Sequence, residues 1–280
     1  MKNLAVIGHP VAHSRSPAMQ TAALEAIGLA DQWSYGAIDV APAEFAARVR
    51  SLPGEGFVGA NVTIPHKEAA LALASEASAA AREIGAANML SFEDGSIRAE
   101  NTDAPGLLAA LTNVQAGWRA LVLGAGGSAR AAAWALLGEG ATVDVWNRTG
   151  ARADELVRDL AGSHSPAGED IPRLAPTAAT QARTGAYDLF VNCTAVGMPG
   201  SDEDPFAALP IDPGQLGAGV TLVDLVYGGE ETTLVRAARE RGAAVVDGLE
   251  VLVRQGAESL RIWTGQDPPL DVMREAARGG

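Results

Sequence analysis

Two short polar runs in the first part of the chain carry side chains suited to chemistry: Asn61-Val62-Thr63-Ile64-Pro65-His66-Lys67-Glu68 and Asn101-Thr102-Asp103. Each closes an apolar, strand-like stretch and opens a helical one, so Thr63 and Lys67 can face one cleft. Hydride transfer to a ketone requires a proton donor near the carbonyl and groups that fix the rest of the substrate. These residue types meet that requirement. Taken singly, each run has a plainer account: Thr102 and Asp103 as helix caps, and Lys67 as a solvated lysine.

A third cluster, Gly124-Ala125-Gly126-Gly127-Ser128-Ala129, follows the apolar run Arg119-Ala120-Leu121-Val122-Leu123 and precedes a helical stretch at 129–137. It matches G-x-G-x-x-A in the required context. The first glycines permit a tight turn and close approach to a pyrophosphate, Ala129 lets helix and strand pack, and the helix N–H groups face the anion. The plainer account is an ordinary strand-to-helix turn. About 20 residues on, where an NAD enzyme places a ribose-binding carboxylate, Val143-Asp144-Val145-Trp146 ends in Asn147-Arg148-Thr149 with no acidic residue. Arg148 can pair with a 2′-phosphate, with Asn147 and Thr149 adding neutral hydrogen bonds, so NADP is favoured over NAD. Arg148 as a solvated helix-start residue is the alternative, and Arg130 is a second, less specific candidate.

Short β-branched runs alternate with Ala- and Leu-rich helical stretches throughout, which predicts an α/β fold of parallel sheets with crossover helices. Strands are expected at 4–8, 35–40 and 57–62, and helices from Pro17 and near Pro42 and Pro65. Ser16-Pro17 has the form of an N-cap followed by proline, which puts a helix N-terminus beside Ser14 and Ser16. Asp94-Gly95 reads as a tight hairpin turn. Residues 161–186 read as loop with at most one helix, and final helices are expected at 249–264 and 270–277.

The 280 residues favour two domains, and 48% hydrophobic with 20% charged residues describes a globular chain. No apolar run reaches the roughly 20 residues of a membrane span, and the N-terminus lacks a secretory signal, so a cytoplasmic protein is expected. A net charge of −13 argues against nucleic-acid binding. Cys193 is the only cysteine, and the four histidines are not spaced as metal ligands, so no metal is expected.

Taken together, the motifs are far more specific than any one of them. Gly8-His9-Pro10-Val11-Ala12-His13-Ser14-Arg15-Ser16-Pro17, the 61–68 run, Gly85-Ala86-Ala87-Asn88 and Asn101-Thr102-Asp103 precede the glycine turn in order. Asn147-Arg148-Thr149, Asn192-Cys193-Thr194-Ala195-Val196-Gly197-Met198, Asp224-Leu225-Val226-Tyr227 and Gln255-Gly256-Ala257 with Trp263-Thr264-Gly265 follow it. Over nearly its whole length the chain resembles the shikimate dehydrogenase family. The resemblance implies NADP-dependent interconversion of 3-dehydroshikimate and shikimate, a step toward chorismate and the aromatic amino acids. It further implies an N-terminal α/β substrate domain at 1–103, rejoined by helices at about 249–280, and a Rossmann-type NADP domain at 104–248, with the active site in the cleft. Lys67 and Asp103 match the family's catalytic pair. Ser14, Ser16, Thr63, Asn88, Tyr227 and Gln255 match substrate contacts, and Thr194 and Gly248 join the glycine turn as cofactor contacts.

Some positions depart from the family pattern. Met89 stands where threonine is usual, Ala195 where serine is common, and Gly228-Gly229 replaces Asn-Pro. Quinate use, or NAD use, remains an alternative to strict shikimate and NADP chemistry, and a non-catalytic ligand-binding relative is a remoter one. Nothing in the sequence chooses between a monomer and a homodimer. His9 and His13 read as supports for the Ser14 loop, His66 as either a neighbour tuning Lys67 or a surface residue, His164 as solvated, and Trp263 as packing.

Overall fold

A computed structural model describes residues 1–111, 113–161, 174–198, 200, 203–228 and 231–279. Contacts divide the chain into two compact units, Met1–Gly106 with Leu252–Gly280, and Leu107–Val251. The α/β class expected from the alternation is what both units display.

The first unit holds strands β1 (Lys2–Gly8), β2 (Trp33–Asp39), β3 (Phe57–Val62), β4 (Glu76–Ala77), β5 (Met89–Glu93) and β6 (Ser96–Glu100), in the order β2-β1-β3-β5-β6-β4. β1 runs parallel to β2 and β3, but β5 is antiparallel to both β3 and β6. The tight hairpin turn expected at Asp94-Gly95 is what joins β5 to β6. Asp94 (φ 47°) and Gly95 (φ 79°) both lie in the left-handed region, the requirement of a two-residue turn that folds β6 straight back on β5.

Helices Ser16–Ala26, Phe45–Ser51, Lys67–Leu73 and Ala79–Ile84 belong to this unit, as do Leu270–Gly279 and most of Gly248–Thr264. The first helix departs from the predicted capping. Its N-cap is Arg15, with Ser16 already helical, and the Ser14 hydroxyl accepts from the Ser16 N–H at 3.3 Å. Proline at the second helical position suits this shift, since that N–H has no partner within the helix. Trp263 packs as expected. Its indole N–H donates to Leu90 O at 3.2 Å, and a Cβ on Gly59 would lie 2.3 Å from Trp263 Nε1.

The second unit is wholly parallel. Strands β7 (Arg119–Leu123), β8 (Thr142–Trp146), β9 (Leu174–Pro176), β10 (Leu189–Asn192), β11 (Thr221–Asp224) and β12 (Ala244–Asp247) lie in the order β12-β11-β10-β7-β8-β9. The chain thus winds outward one way from β7 and then the other way from β10. In such sheets ligands bind outside the carboxyl ends of the strands where the winding reverses, here between β7 and β10. Leu121, Leu123, Val143, Val145 and Val191, all fully buried, make both sheet faces apolar, as helices on both sides demand.

Of the segment expected as loop, the described part contains β9 and one helix, Ala179–Thr184. A three-residue strand ending in proline carries too little alternation to read from sequence. His164 lies outside the described residues. No helix among the described residues is long and apolar enough to cross a membrane.

Candidate functional site

Lys67 and Asp103 each occupy the first position of a helix, Lys67–Leu73 and Asp103–Leu111. Lys67 Nζ donates to Asp103 Oδ2 at 2.5 Å, with the two side chains only 11% and 16% exposed. The carboxylate sits where helix N–H groups favour negative charge. Its other oxygen, Oδ1, accepts from Asn88 Nδ2 at 2.9 Å.

Asn88 organises the surroundings. The Thr102 N–H donates to Asn88 Oδ1 at 2.6 Å, which fixes the amide so that Nδ2 faces Asp103 Oδ1, Thr102 Oγ1 (2.9 Å) and Gln255 Oε1 (3.0 Å). Gln255 is held in turn by its own Nε2 donating to Leu252 O at 2.9 Å. Behind them, Ser259 Oγ lies 2.9 Å from Thr102 Oγ1 and accepts from Asn61 Nδ2 at 2.9 Å, while the Tyr35 hydroxyl donates to Asn61 Oδ1 at 2.7 Å. Asn61, Asn88, Thr102, Gln255 and Ser259 are all buried. Their partners offset the desolvation that burial would otherwise impose.

Two glycines make this assembly possible, and neither stood out in the sequence as part of a site. A Cβ on Gly106 would lie 2.7 Å from both N and Cβ of Gln255, so the Asp103–Leu111 helix approaches the Gln255 helix almost backbone to backbone. A Cβ on Gly256 would lie 2.4 Å from Met19 Cε, and Gln20 Nε2 donates to Gly256 O at 2.9 Å. The Ser14–Ser16 helix start is thereby tied to the helix that carries Gln255.

Thr63 follows β3 beside the end of β1, where a Cβ on Gly8 would lie 2.5 Å from Thr63 Cγ2. Ser14 is half-buried in the loop that leaves β1, and Ser16 is buried at the first position of the helix that follows. His9 bonds Asp39 through Nδ1 at 2.6 Å, and the Val11 N–H donates to the same carboxylate, which supports the Ser14 loop as expected. His13 lies exposed in that loop. Met89 is fully buried and pairs in register with Asn61.

His66 is not on the surface. It is 2% exposed, stacks on Phe45 at 4.4 Å and donates from Nε2 to Val40 O at 2.7 Å. Burial holds its imidazole below the ordinary value of 6.5, against the raising effect of the Val40 carbonyl. The neutral ring is the form the fold favours, so its contribution to stability is complete above that value and declines as pH falls below it. Melting temperatures followed from about pH 7 down to pH 5 should fall more steeply for the parent than for His66→Gln. Equal slopes would remove His66 as the source.

In the second unit Gly124 has φ 112°, and a Cβ there would lie 3.2 Å from Cys193 O. The turn therefore runs against the end of β10. Ala125 and Ala129 are buried, Gly126 is the exposed N-cap, and the helix begins at Gly127, with Ser128 in its first turn. That start is two residues earlier than predicted. Glycine is tolerated because first-turn N–H groups need no helical partner.

The Gly124 N–H donates to Trp146 O at 2.7 Å, which brings the glycine turn beside the end of β8. There Asn147 Nδ2 donates to Thr149 O, and Arg148 is exposed. Arg152 was missed in the sequence. It lies in the first turn of helix Gly150–Leu160, just after Asn147-Arg148-Thr149. Arg130 instead donates to Asp159 at 2.7 Å, a contact that ties two helices of the unit together. Thr194 Oγ1 donates to Asn192 Oδ1 at 2.7 Å. A Cβ on Gly248 would lie 2.7 Å from Leu225 O. Tyr227 belongs to this unit, in the loop after β11; Gly229 lies outside the described residues.

A doubly wound parallel sheet with a glycine turn at its switch point, joined to a separate α/β unit carrying a part-buried lysine–carboxylate pair, defines a two-unit protein with a Rossmann-type dinucleotide fold. Residues 6–90 match the shikimate dehydrogenase substrate binding domain, and residues 248–278 the shikimate 5′-dehydrogenase C-terminal domain. A shikimate dehydrogenase (NADP(+)) of Mesorhizobium japonicum is 44% identical over 96% of this chain and 92% of its own, and one of Methanothermobacter thermautotrophicus is 39% identical over 98% and 94%. The crystal structure of shikimate 5-dehydrogenase from Thermus thermophilus in complex with NADP(H) and shikimate is similar with a TM-score of 0.85 at 39% identity, covering 100% of this chain and 99% of that one. The chain belongs to the shikimate dehydrogenase family.

Proposed function

We propose that this protein is an NADP-dependent shikimate dehydrogenase, which reduces 3-dehydroshikimate to shikimate reversibly. The observation that carries the reading is the Lys67–Asp103 pair at 2.5 Å, mostly withdrawn from solvent and braced by Asn88, Thr102 and Gln255. The first unit takes the substrate and the second the cofactor.

NADP supplies the hydride in reduction and accepts it in oxidation. The residues of the second unit fit that group. Gly124 leaves room where a side chain would meet Cys193 O, the helix start at Gly127 offers N–H groups to a pyrophosphate, and β8 ends without a carboxylate at Asn147-Arg148-Thr149. Arg148, with Arg152 in the following helix, would hold the 2′-phosphate by charge-assisted hydrogen bonds.

In the first unit, the Lys67 ammonium donates a proton to the carbonyl oxygen as negative charge develops on it, and takes it back when the alcohol is oxidised. Asp103 keeps the ammonium in place and accepts from a substrate hydroxyl. Asn88 and Gln255 carry both donors and acceptors, which suits a polyol ring, and Ser14 and Ser16 at a helix start suit its carboxylate. Thr63 and Tyr227 complete the substrate contacts, and Thr194 and Gly248 those to the cofactor.

Initial rates of nicotinamide reduction with shikimate or quinate, each paired with NADP or NAD, test the reading. Shikimate with NADP should be the fastest combination. Faster turnover of quinate, or equal use of NAD, would move the assignment to the broader sister activity. Arg148→Ala should raise the KM for NADP by about 10–100-fold, the loss expected of a charge-assisted contact, and change that for NAD little. Parallel losses with both cofactors would show that Arg148 does not read the 2′-phosphate.

A further inference from the structure

The carboxyl ends of β10 and β11 hold a buried polar clasp that the proposed chemistry leaves unexplained. Asn192 and Asp224 are the last residues of these strands, face each other in register and are fully buried. Asn192 Nδ2 donates to Asp224 Oδ1 at 2.9 Å. The Val226 N–H donates to the same oxygen at 3.2 Å, and Thr232 Oγ1 donates to Asp224 Oδ2 at 2.7 Å. None of the described ion pairs involves Asp224, so a buried carboxyl group relies on three donors rather than a cation. Burial pushes it above the usual carboxylate range, against the hydrogen bonds from Thr232, Val226 and Asn192. Such a group is an expensive way to stabilise a sheet, and its position suggests another use.

The three donors fix two loops at the end of the sheet where a dinucleotide fold binds its ligand. Asn192 Oδ1 accepts from both the N–H and the hydroxyl of Thr194, at 3.1 and 2.7 Å, and the Thr194 hydroxyl accepts from the Val196 N–H at 3.1 Å. That series sets the backbone from Thr194 to Val196. The Val226 bond anchors the residue before Tyr227. Thr232 caps helix Thr233–Glu240 by accepting from the Val235 N–H at 3.1 Å, which fixes where the Tyr227 loop ends. Asp224 accepts from all three.

We infer that Asp224, with Asn192 and Thr232, is a positioning residue that holds the Thr194 and Tyr227 loops in their ligand-ready form. The inference rests on the proposed function, because Thr194 and Tyr227 take their ligand roles from it.

The test compares Thr232→Val, Thr232→Ser and Asp224→Asn with the parent, following NADPH binding by nicotinamide fluorescence and NADP binding by titration calorimetry, and KM and kcat for NADP and shikimate separately. Thr232→Val should raise the Kd and KM for NADP by about tenfold, as loss of a hydrogen bond to a charged group does. Thr232→Ser, which keeps the hydroxyl, should restore both. Asp224→Asn sets an amide donor against donors and should do at least as much. Should it fail to fold, the Val and Ser pair decides. Values for NADP within twofold of the parent in a folded Thr232→Val, or no recovery in Thr232→Ser, would make the clasp a purely structural feature. A parent that binds NADP but does not oxidise shikimate would overturn the proposed function instead.

Discussion

Replacing Lys67 with alanine is expected to lower kcat for shikimate oxidation by about 10²–10⁴-fold, the range of a lost general acid–base group. Lys67 Nζ lies 2.5 Å from Asp103 Oδ2, and the pair is mostly buried, so the variant also strands a carboxylate. That carboxylate keeps its hydrogen bond from Asn88, which limits the damage to the fold. NADP binding, which the proposed function assigns to the second unit, should persist in the variant, and this separates lost chemistry from lost structure. A kcat near that of the parent would remove Lys67 from the proton-donor role and leave it as a binding group.

Gly106→Ala should be nearly as damaging although it touches no reacting group. The added methyl would lie 2.7 Å from N and Cβ of Gln255, so one of two helices must move. Asp103 lies one turn earlier on the shifted helix, and Gln255 stands on the opposing one. Both contact Asn88, and a displacement of about 1 Å at such a site costs on the order of 10²-fold in rate. Overpacking should lower stability by about 1–3 kcal/mol, partly offset by alanine's better helix propensity. Steady-state kinetics alongside thermal melting checks this: unchanged kcat with a raised melting temperature would mean that the helices separate at no cost to the site.

The contrast between these two residues shows what could be read in advance. Lys67 sits in a run of polar residues at the end of a predicted strand, and its order among the other motifs carried the family resemblance. The α/β class and the Asp94-Gly95 turn were equally legible, because apolar alternation and positive-φ residues are local properties. Gly106 has no local signature: a glycine early in a helix reads as a weak helix former, and its meaning appears only with Gln255 beside it. Ser259 is similar, a helix serine whose hydroxyl turns out to bridge Asn61 and Thr102. His66 was ambiguous for the same reason, since nothing adjacent in sequence reveals that Phe45 stacks on it. The β5–β6 hairpin was read from its turn residues, whereas the antiparallel pairing of β5 with β3 has no such local signature. Arg152 was passed over because a cation in a first helical turn becomes informative only once the helix start is known.

The second unit is one continuous stretch, whereas the first is assembled from both ends of the chain. During synthesis, then, the parallel sheet has every strand it needs before residue 252 leaves the ribosome. The other sheet does not: Gln20 must await Gly256, 236 positions later, and the polar network of Asn88 and Asn61 must await Gln255 and Ser259. A chain stalled just short of its last helices would carry a finished second unit and an unfinished first one, which on the proposed function would sequester NADP while turning nothing over.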